Sequence, residues 1–461
     1  MSLIIISFLF SFVFAIIMNF FGPIFALLFL IFCCISYLFI IKFEAMFLSF
    51  IILRPSFDIF EERGVGVGSS TLNLASIITL LFIIASFFFI VRQKKYIYIP
   101  IEVKFYAVFL IFAVFGTIYN FNIVKFDGLS TLLRLVAILF IMLIILQEYT
   151  NIRQLEKLFR MLMYSMVIPV LYAIVQMFTK IDTTRSGGEG FIRVNGGFTH
   201  SNVFATYLGI FIIMFYALLM LKKEINFKNK IKLWGIETVL LICLLFTYGR
   251  GAWISLCVSI LIICICYIRK KSFWLILITI PVFLTIYFFV GNVPFLGDIS
   301  ARFEDVNVLE TTSVLSDAEG NSLGWRILYW RELLTEAFNS PIFGHGLGSV
   351  RIMGSSHTEA HNNYIQIFFE TGIGVFFYFG ILIIYLKKAF GYVNSKNTSQ
   401  KYFFVGVIGI ILFYLISSLS AHLITNTVFQ TYFFSFLTMV NCFDKLMFKN
   451  SQFKNQPLLR D

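Results

Sequence analysis

Three side chains in this 461-residue chain combine a reactive type with a position where charge is costly: Arg250, Arg326 and His361. Arg250 sits in Phe246-Thr-Tyr-Gly-Arg-Gly-Ala-Trp253, a short turn between two apolar runs. A guanidinium there is either a fork for the oxygens of a phosphate or carboxylate, or a side chain that snorkels to water from a span end. His361 opens His361-Asn-Asn-Tyr-Ile-Gln-Ile-Phe-Phe-Glu370-Thr-Gly372, where a polar stretch gives way to an apolar run. A neutral imidazole at that junction can take a proton from a hydroxyl; the plainer reading is a helix-start histidine bonded to loop backbone. Arg326 lies in Gly324-Trp-Arg-Ile-Leu-Tyr-Trp-Arg331. Helical spacing there puts it on one face with Trp330, and an exposed loop helix is the alternative. Glu370 lies about 13 Å beyond His361 along a helix, on the opposite face, and a carboxylate at that depth must be paired or protonated.

Several other chemistries are disfavoured. His357 and His361 stand at i and i+4, which suits a metal, but the zinc-protease pattern needs Glu directly after the first His, and Thr358 is there. Neither a metal nor a cofactor is expected. Gly64-Val-Gly-Val-Gly68 and Gly344-His-Gly-Leu-Gly348 follow no strand and read as turns. No Walker motif is present, so no ATP hydrolysis is expected. The seven cysteines lie in or at the end of apolar runs and form no disulfide framework. A formal charge of +12 could suggest nucleic acid. The Lys and Arg residues, however, sit in loops, where membrane topology places them, rather than on a basic face with interleaved aromatics.

The elements that must position these residues are membrane spans. Hydrophobic residues make up 59% of the chain and charged residues 13%, against roughly 45–50% and 25% in soluble domains. Runs at 3–21, 23–41, 43–53, 72–91, 105–119, 129–147, 158–179, 201–221, 233–248, 251–268, 273–291, 362–386, 403–419 and 427–443 approach the length needed to span. The expected fold is an all-α polytopic bundle of about 12–14 transmembrane helices. The first run lacks a basic n-region and a cleavage site, and reads as a retained span. With the N-terminus inside, Lys and Arg favour the inner loops roughly two to one. One long extracytoplasmic loop, 292–361, then remains, helical over Trp325–Phe338 and stopped at Asn339-Ser-Pro341. The resulting organisation is 1–190 N-terminal spans, 191–291 core spans with the Arg250 turn, 292–361 the loop, 362–443 C-terminal spans and 444–461 a cytoplasmic tail.

Three segments, taken in order, resemble the O-antigen ligase and polysaccharide polymerase superfamily. They are Arg193-Val-Asn-Gly-Gly-Phe-Thr-His-Ser-Asn202-Val-Phe-Ala205, the Tyr248-Gly-Arg250-Gly-Ala-Trp turn, and His361-Asn-x-Tyr running to Glu370-x-Gly-x-Gly374. Gly249 stands where the family usually has Ser. Asn339-Ser-Pro-Ile-Phe-Gly-His-Gly-Leu-Gly348 resembles the family's loop stretch before that His. The resemblance covers about residues 190–375; the first half of the chain matches only in hydropathy.

What the resemblance implies is a GT-C-like, inverting, metal-independent glycosyltransferase of the bacterial cytoplasmic (inner) membrane. It would take a glycan from undecaprenyl diphosphate on the outer face and pass it to a hydroxyl on a glycan or lipid acceptor. Arg250 and Arg326 would stabilise the diphosphate leaving group and His361 would act as base. Arg193, Asn202, Asn362, Tyr364 and Glu370 would bind substrate or shape the pocket. The implied partners are the lipid-linked donor, the acceptor, the bilayer and other polysaccharide export or assembly proteins, with no nucleic acid. Ligase and polymerase share these motifs, and a protein O-glycosylating enzyme is a third possibility. A lipid-linked glycan transporter or flippase is the non-enzymatic alternative. It would need a charged central cavity, whereas charges within the runs are few: Arg134, Glu237 and Glu370.

Overall fold

The computed structural model of the protein describes residues 43–56, 65–67, 70–72, 74–93, 98–181, 184–185, 192–222, 225–267, 322–394 and 400–454. The expected spans 3–21, 23–41 and 273–291, the loop portion 292–321 and the end of the tail lie outside them. We number the elements in chain order. The helices are α1 Phe43–Leu53, α2 Leu74–Gln93, α3 Ile101–Tyr119, α4 Phe121–Glu148, α5 Ile152–Tyr164, α6 Val167–Thr179, α7 Ser201–Leu221, α8 Phe227–Leu245, α9 Arg250–Tyr267, α10 Ser322–Ala337, α11 Val350–Met353, α12 Asn363–Thr371, α13 Gly374–Asn394, α14 Lys401–Ser417 and α15 Thr427–Lys454. Two small antiparallel hairpins are formed by β1 Val65–Val67 with β2 Ser70–Leu72, and by β3 Thr184–Arg185 with β4 Ile192–Arg193. Among the described residues, six helical runs are long and apolar enough to cross a membrane. The chain is therefore an all-α, multi-pass membrane protein.

Helix α7 is the centre of the bundle. Nearly every residue from Phe204 to Ala217 is buried, and the helix packs against α8, α9, α14 and α15. Its neighbour α14 is apolar all round, as expected of a helix enclosed by others. One group of polar side chains in this core is paired. Asn363 Nδ2 donates to Tyr414 Oη at 2.6 Å, Tyr414 and Tyr378 hydroxyls lie 2.7 Å apart, and Tyr378 donates to Gln430 Oε1 at 3.0 Å. Four helices, α12 to α15, are thus joined by one satisfied network. At the far ends of the same bundle Lys388 lies 2.7 Å from Glu102 and 3.1 Å from Asp444, linking α3, α13 and α15.

Two expected spans are broken, and a third is extended through a kink outside its expected bounds, in ways that hydropathy alone does not show. The run 158–179 belongs to two helices, α5 and α6, that meet at Ser165–Met166. Helix α4 extends to Phe121, with a non-helical Lys125 at φ 47°. Most relevant to the site, 362–386 is two helices. A short α12 ends at Gly372, at φ 56°, and the spanning α13 starts at Gly374. Glu370 therefore belongs to α12 and is not carried on a spanning helix.

The glycine-rich turn at 344–348 holds α12 in place. His345 N donates to Phe369 O at 2.8 Å and Gly346 N to Glu370 O at 3.0 Å. Gly344 has φ +69°, and a Cβ on it would fall 2.4 Å from the Glu370 and Thr371 backbone. Strain of this kind costs about 1–3 kcal/mol before any clash is counted. Gly344→Ala should consequently lower the melting temperature of the detergent-solubilised protein. An unchanged melting temperature would show that α12 does not depend on this turn.

Candidate active site

Arg193, Asn202, Arg250, Arg326 and His361 line a single cavity of about 280 Å³, together with His200, Tyr248, Ser417, Ser420, His422 and Asn426. They come from five separate stretches of chain. The cavity lies where helices begin. His200 is the N-cap of α7, Arg250 starts α9, Asn362 behind His361 caps α12, and Asn426 stands at the head of α15. Helix N-termini carry partial positive charge and free N–H groups, so four of them around one space favour an anion. Three arginines add to that field, and no carboxylate lines the cavity among the described residues.

The Arg250 turn is fixed by its neighbours. Tyr248 has φ 52° and reverses the chain between α8 and α9. Val194 N donates to Phe246 O at 3.0 Å, so the segment after β4 lies along this turn. Arg193 is buried. Its Nε donates to Thr247 O at 2.8 Å, and a terminal nitrogen donates to Asn202 Oδ1 at 2.5 Å. Arg193 and Asn202 therefore clamp the start of α7 onto the Arg250 turn and form part of the cavity wall. A Cβ on Gly249 would approach Ala205 Cβ to 3.0 Å and Thr247 Oγ1 to 3.2 Å, which leaves little room for a larger residue in this turn.

His361 also has a left-handed backbone, φ 49°, and is pinned from three sides. Ala360 N donates to Gln366 Oε1 at 2.9 Å, Trp330 Nε1 donates to Ala360 O at 2.7 Å, and Tyr329 Oη donates to Thr358 O at 2.9 Å. Helix α10, which carries Arg326, is thus the brace that sets the imidazole. The Trp325 ring stands 6.1 Å from it edge-on, and the His422 ring 5.1 Å. Burial first, then His422, Arg326 and His200, push the His361 pKa down to about 3. The His200 pKa is pushed down to about 4 by burial, Arg193 and His422. Burial lowers that of His422 as well. At neutral pH these rings are uncharged. Asn202 N donates to His200 Nδ1 at 3.0 Å, which leaves the proton of that neutral ring on Nε2.

The remaining expected site residues do not line the cavity. Asn362 caps α12, accepting from Tyr364 N and Ile365 N. Tyr364 donates to Leu415 O at 2.8 Å and stacks on Phe379. Glu370 is buried behind α12 and accepts from Gln366 Nε2 at 2.8 Å. Its carboxyl is raised above the usual range by burial and by Glu359. All three support the segment that presents His361. The cavity adds His200, which lies within the 193–205 segment but was not singled out there, and His422, which stands in a short loop with no motif around it. Their only sequence signal is a polar residue at the mouth of a span. Asn363 was also missed; it ties α12 to the His422 loop, accepting from Ile424 N at 2.8 Å.

A family model described as O-Antigen ligase matches residues 236–380. The matched segment is thus similar to an O-antigen ligase family domain. The match supports a ligase- or polymerase-like, glycosyltransferase-like function at the membrane. The domain includes Arg250, Arg326 and His361 and the helices that brace them. Arg193, His200, Asn202 and His422 fall outside it and complete the cavity from the preceding and following helices. No curated protein matches the chain.

Proposed function

We propose that the protein transfers a glycan from undecaprenyl diphosphate to a hydroxyl acceptor at the outer face of the bacterial cytoplasmic membrane, as a ligase or polymerase of surface polysaccharide. The observation that carries this reading is the meeting of Arg250, Arg326 and a neutral His361 in one cavity. The departing diphosphate gains negative charge as the glycosidic bond breaks. Two guanidinium forks and the N-terminus of α9 are placed to stabilise it. His361 takes the proton of the acceptor hydroxyl as that oxygen attacks the anomeric carbon. Among the described residues no carboxylate lines the cavity to act as nucleophile, and a single displacement with inversion is then the simplest course. The leaving-group charge is balanced by arginine, so no metal is needed.

The test is transfer from undecaprenyl-diphosphate glycan by the protein reconstituted in nanodiscs, followed across pH. The lowered pKa means that His361 remains neutral, and competent as a base, from pH 8 to well below its ordinary value. An unperturbed imidazole near 6.5 would lose most of kcat/KM by pH 5. The expected kcat/KM is nearly flat from pH 8 to 5, because that ratio reports the free enzyme. In the donor complex the diphosphate offsets Arg326, so the acid limb of kcat lies at higher pH. A free-enzyme limb centred at 6.5 would remove His361 from the role. In a deletion strain, accumulated single repeats indicate a polymerase, and full-length chains on undecaprenyl diphosphate indicate a ligase.

A further inference from the structure

His200 lines the cavity that holds His361, and the proposed transfer step gives it no part. It is also the N-cap of α7, with extended backbone at φ −146° and ψ 143°. That position favours Ser, Thr, Asp or Asn, whose short side chains accept from the first free N–H groups of a helix. Here an imidazole takes that place, and its Nδ1 accepts from Asn202 N at 3.0 Å. A histidine can do more than cap. Its two nitrogens lie on different sides of the ring, and accepting at Nδ1 puts the proton of the neutral ring on Nε2. That N–H has no hydrogen-bond partner among the described residues. An Asp cap would bring a carboxylate into a cavity that Arg193, Arg250 and Arg326 line. A Ser or Thr cap would end at the helix. Histidine caps, adds no negative charge and leaves a donor over. Burial, then Arg193 and His422, hold its pKa to about 4, so the ring serves as neutral imidazole.

We propose that His200 Nε2–H donates a hydrogen bond to a phosphate oxygen of the departing diphosphate, as a further donor beside the guanidiniums of Arg250 and Arg326. The assignment rests on the proposed transfer reaction. The proton stays on Nε2 throughout, because a diphosphate is a weak base and its oxygens need a hydrogen bond, not a proton. The ring does not have to turn as charge develops, since the first turn of α7 holds Nδ1. A donor fixed in advance is what a developing oxyanion requires. Arg193 contributes to that fixity. It donates to the Asn202 side chain, and the Asn202 backbone N–H holds the imidazole. Arg193 and Asn202 are then positioning residues that act through His200.

The test separates capping from donation. The full chain in nanodiscs carries His200→Ser, which caps α7 without an Nε2–H, or His200→Ala, which does neither. Transfer kcat should fall about 10²-fold in both, the scale of losing one preorganised donor. Only His200→Ala should lower the melting temperature, because only it removes the cap. The loss should fall on kcat and leave acceptor KM unchanged. A second arm reads binding alone, by titrating inorganic pyrophosphate without acceptor. His200→Ser should weaken that binding, and His200→Asp, which caps with a carboxylate, should abolish it at an unchanged melting temperature. Near-normal transfer by His200→Ser beside a defective His200→Ala would make the residue a cap only and overturn the proposal. A loss confined to acceptor KM, or a pyrophosphate affinity indifferent to all three substitutions, overturns it as well. If His200→Ser does not accumulate, His200→Thr takes its place. Failure of the wild type to transfer would remove the transfer reading, and the pyrophosphate arm would still decide whether His200 is an anion donor.

Discussion

His361→Ala should lower the transfer rate by about 10²–10⁴-fold, the usual contribution of a positioned general base, while insertion and donor binding persist. Folding should survive because the imidazole does not hold its own segment. Gln366, Trp330 and Tyr329 pin the flanking backbone, and Asn362 caps the helix that follows. Donor binding should survive because Arg250 and Arg326 remain. His357 is the internal control. It is exposed, does not line the cavity, and its ring contacts only Arg351 O at 3.3 Å. His357→Ala should therefore cost little. A metal bound by the pair would make the two substitutions equally damaging and the wild type sensitive to chelator. His422 provides the sharper contrast, since its neutral ring lies 5.1 Å from that of His361. If transfer persists in His361→Ala and is lost in His422→Ala, the base is His422 and the His361 assignment is wrong.

The sequence revealed most of the spans but only part of the site, for a physical reason. A run such as 201–221 is legible because enclosure on every side demands an apolar residue at nearly every position, and α7 has those bounds in the structure. Arg250, Arg326 and His361 were legible because charged or titratable groups at run ends are costly and invite explanation. Helix breaks were not legible. Gly372 and the Ser165–Met166 junction change backbone direction without changing hydropathy, so α12 was merged with α13 and α5 with α6. Nor was convergence legible. His200 and His422 lie 222 positions apart, and only the packing of α7 against the neighbouring helices sets both rings beside His361. Arg193 and Asn202 were expected to shape the pocket, but their mutual hydrogen bond depends on a turn that buries the guanidinium against Thr247.

Arg250→Lys should preserve the charge and still reduce transfer by about 10²-fold, the scale of losing one preorganised donor to a developing oxyanion. The reasoning is geometric. Arg250 begins α9, so its guanidinium and the free N–H groups of that helix start serve the same space. A planar fork can meet two oxygens of a diphosphate at once. An ammonium meets them as a point charge and loses the orientation that distinguishes the transition state from the bound donor. The loss should therefore fall mainly on kcat, with a smaller change in donor KM. A snorkelling arginine would behave otherwise, because a lysine stem reaches the interface as well and both steps would be unaffected. Near-normal transfer by Arg250→Lys at normal protein level would reject the fork. A large rise in donor KM with kcat preserved would keep Arg250 as a binding group and assign leaving-group stabilisation to Arg326. Since Arg326 also contributes, after burial and His422, to lowering the His361 pKa, that outcome would make one guanidinium balance the charge on the diphosphate and help keep the base neutral.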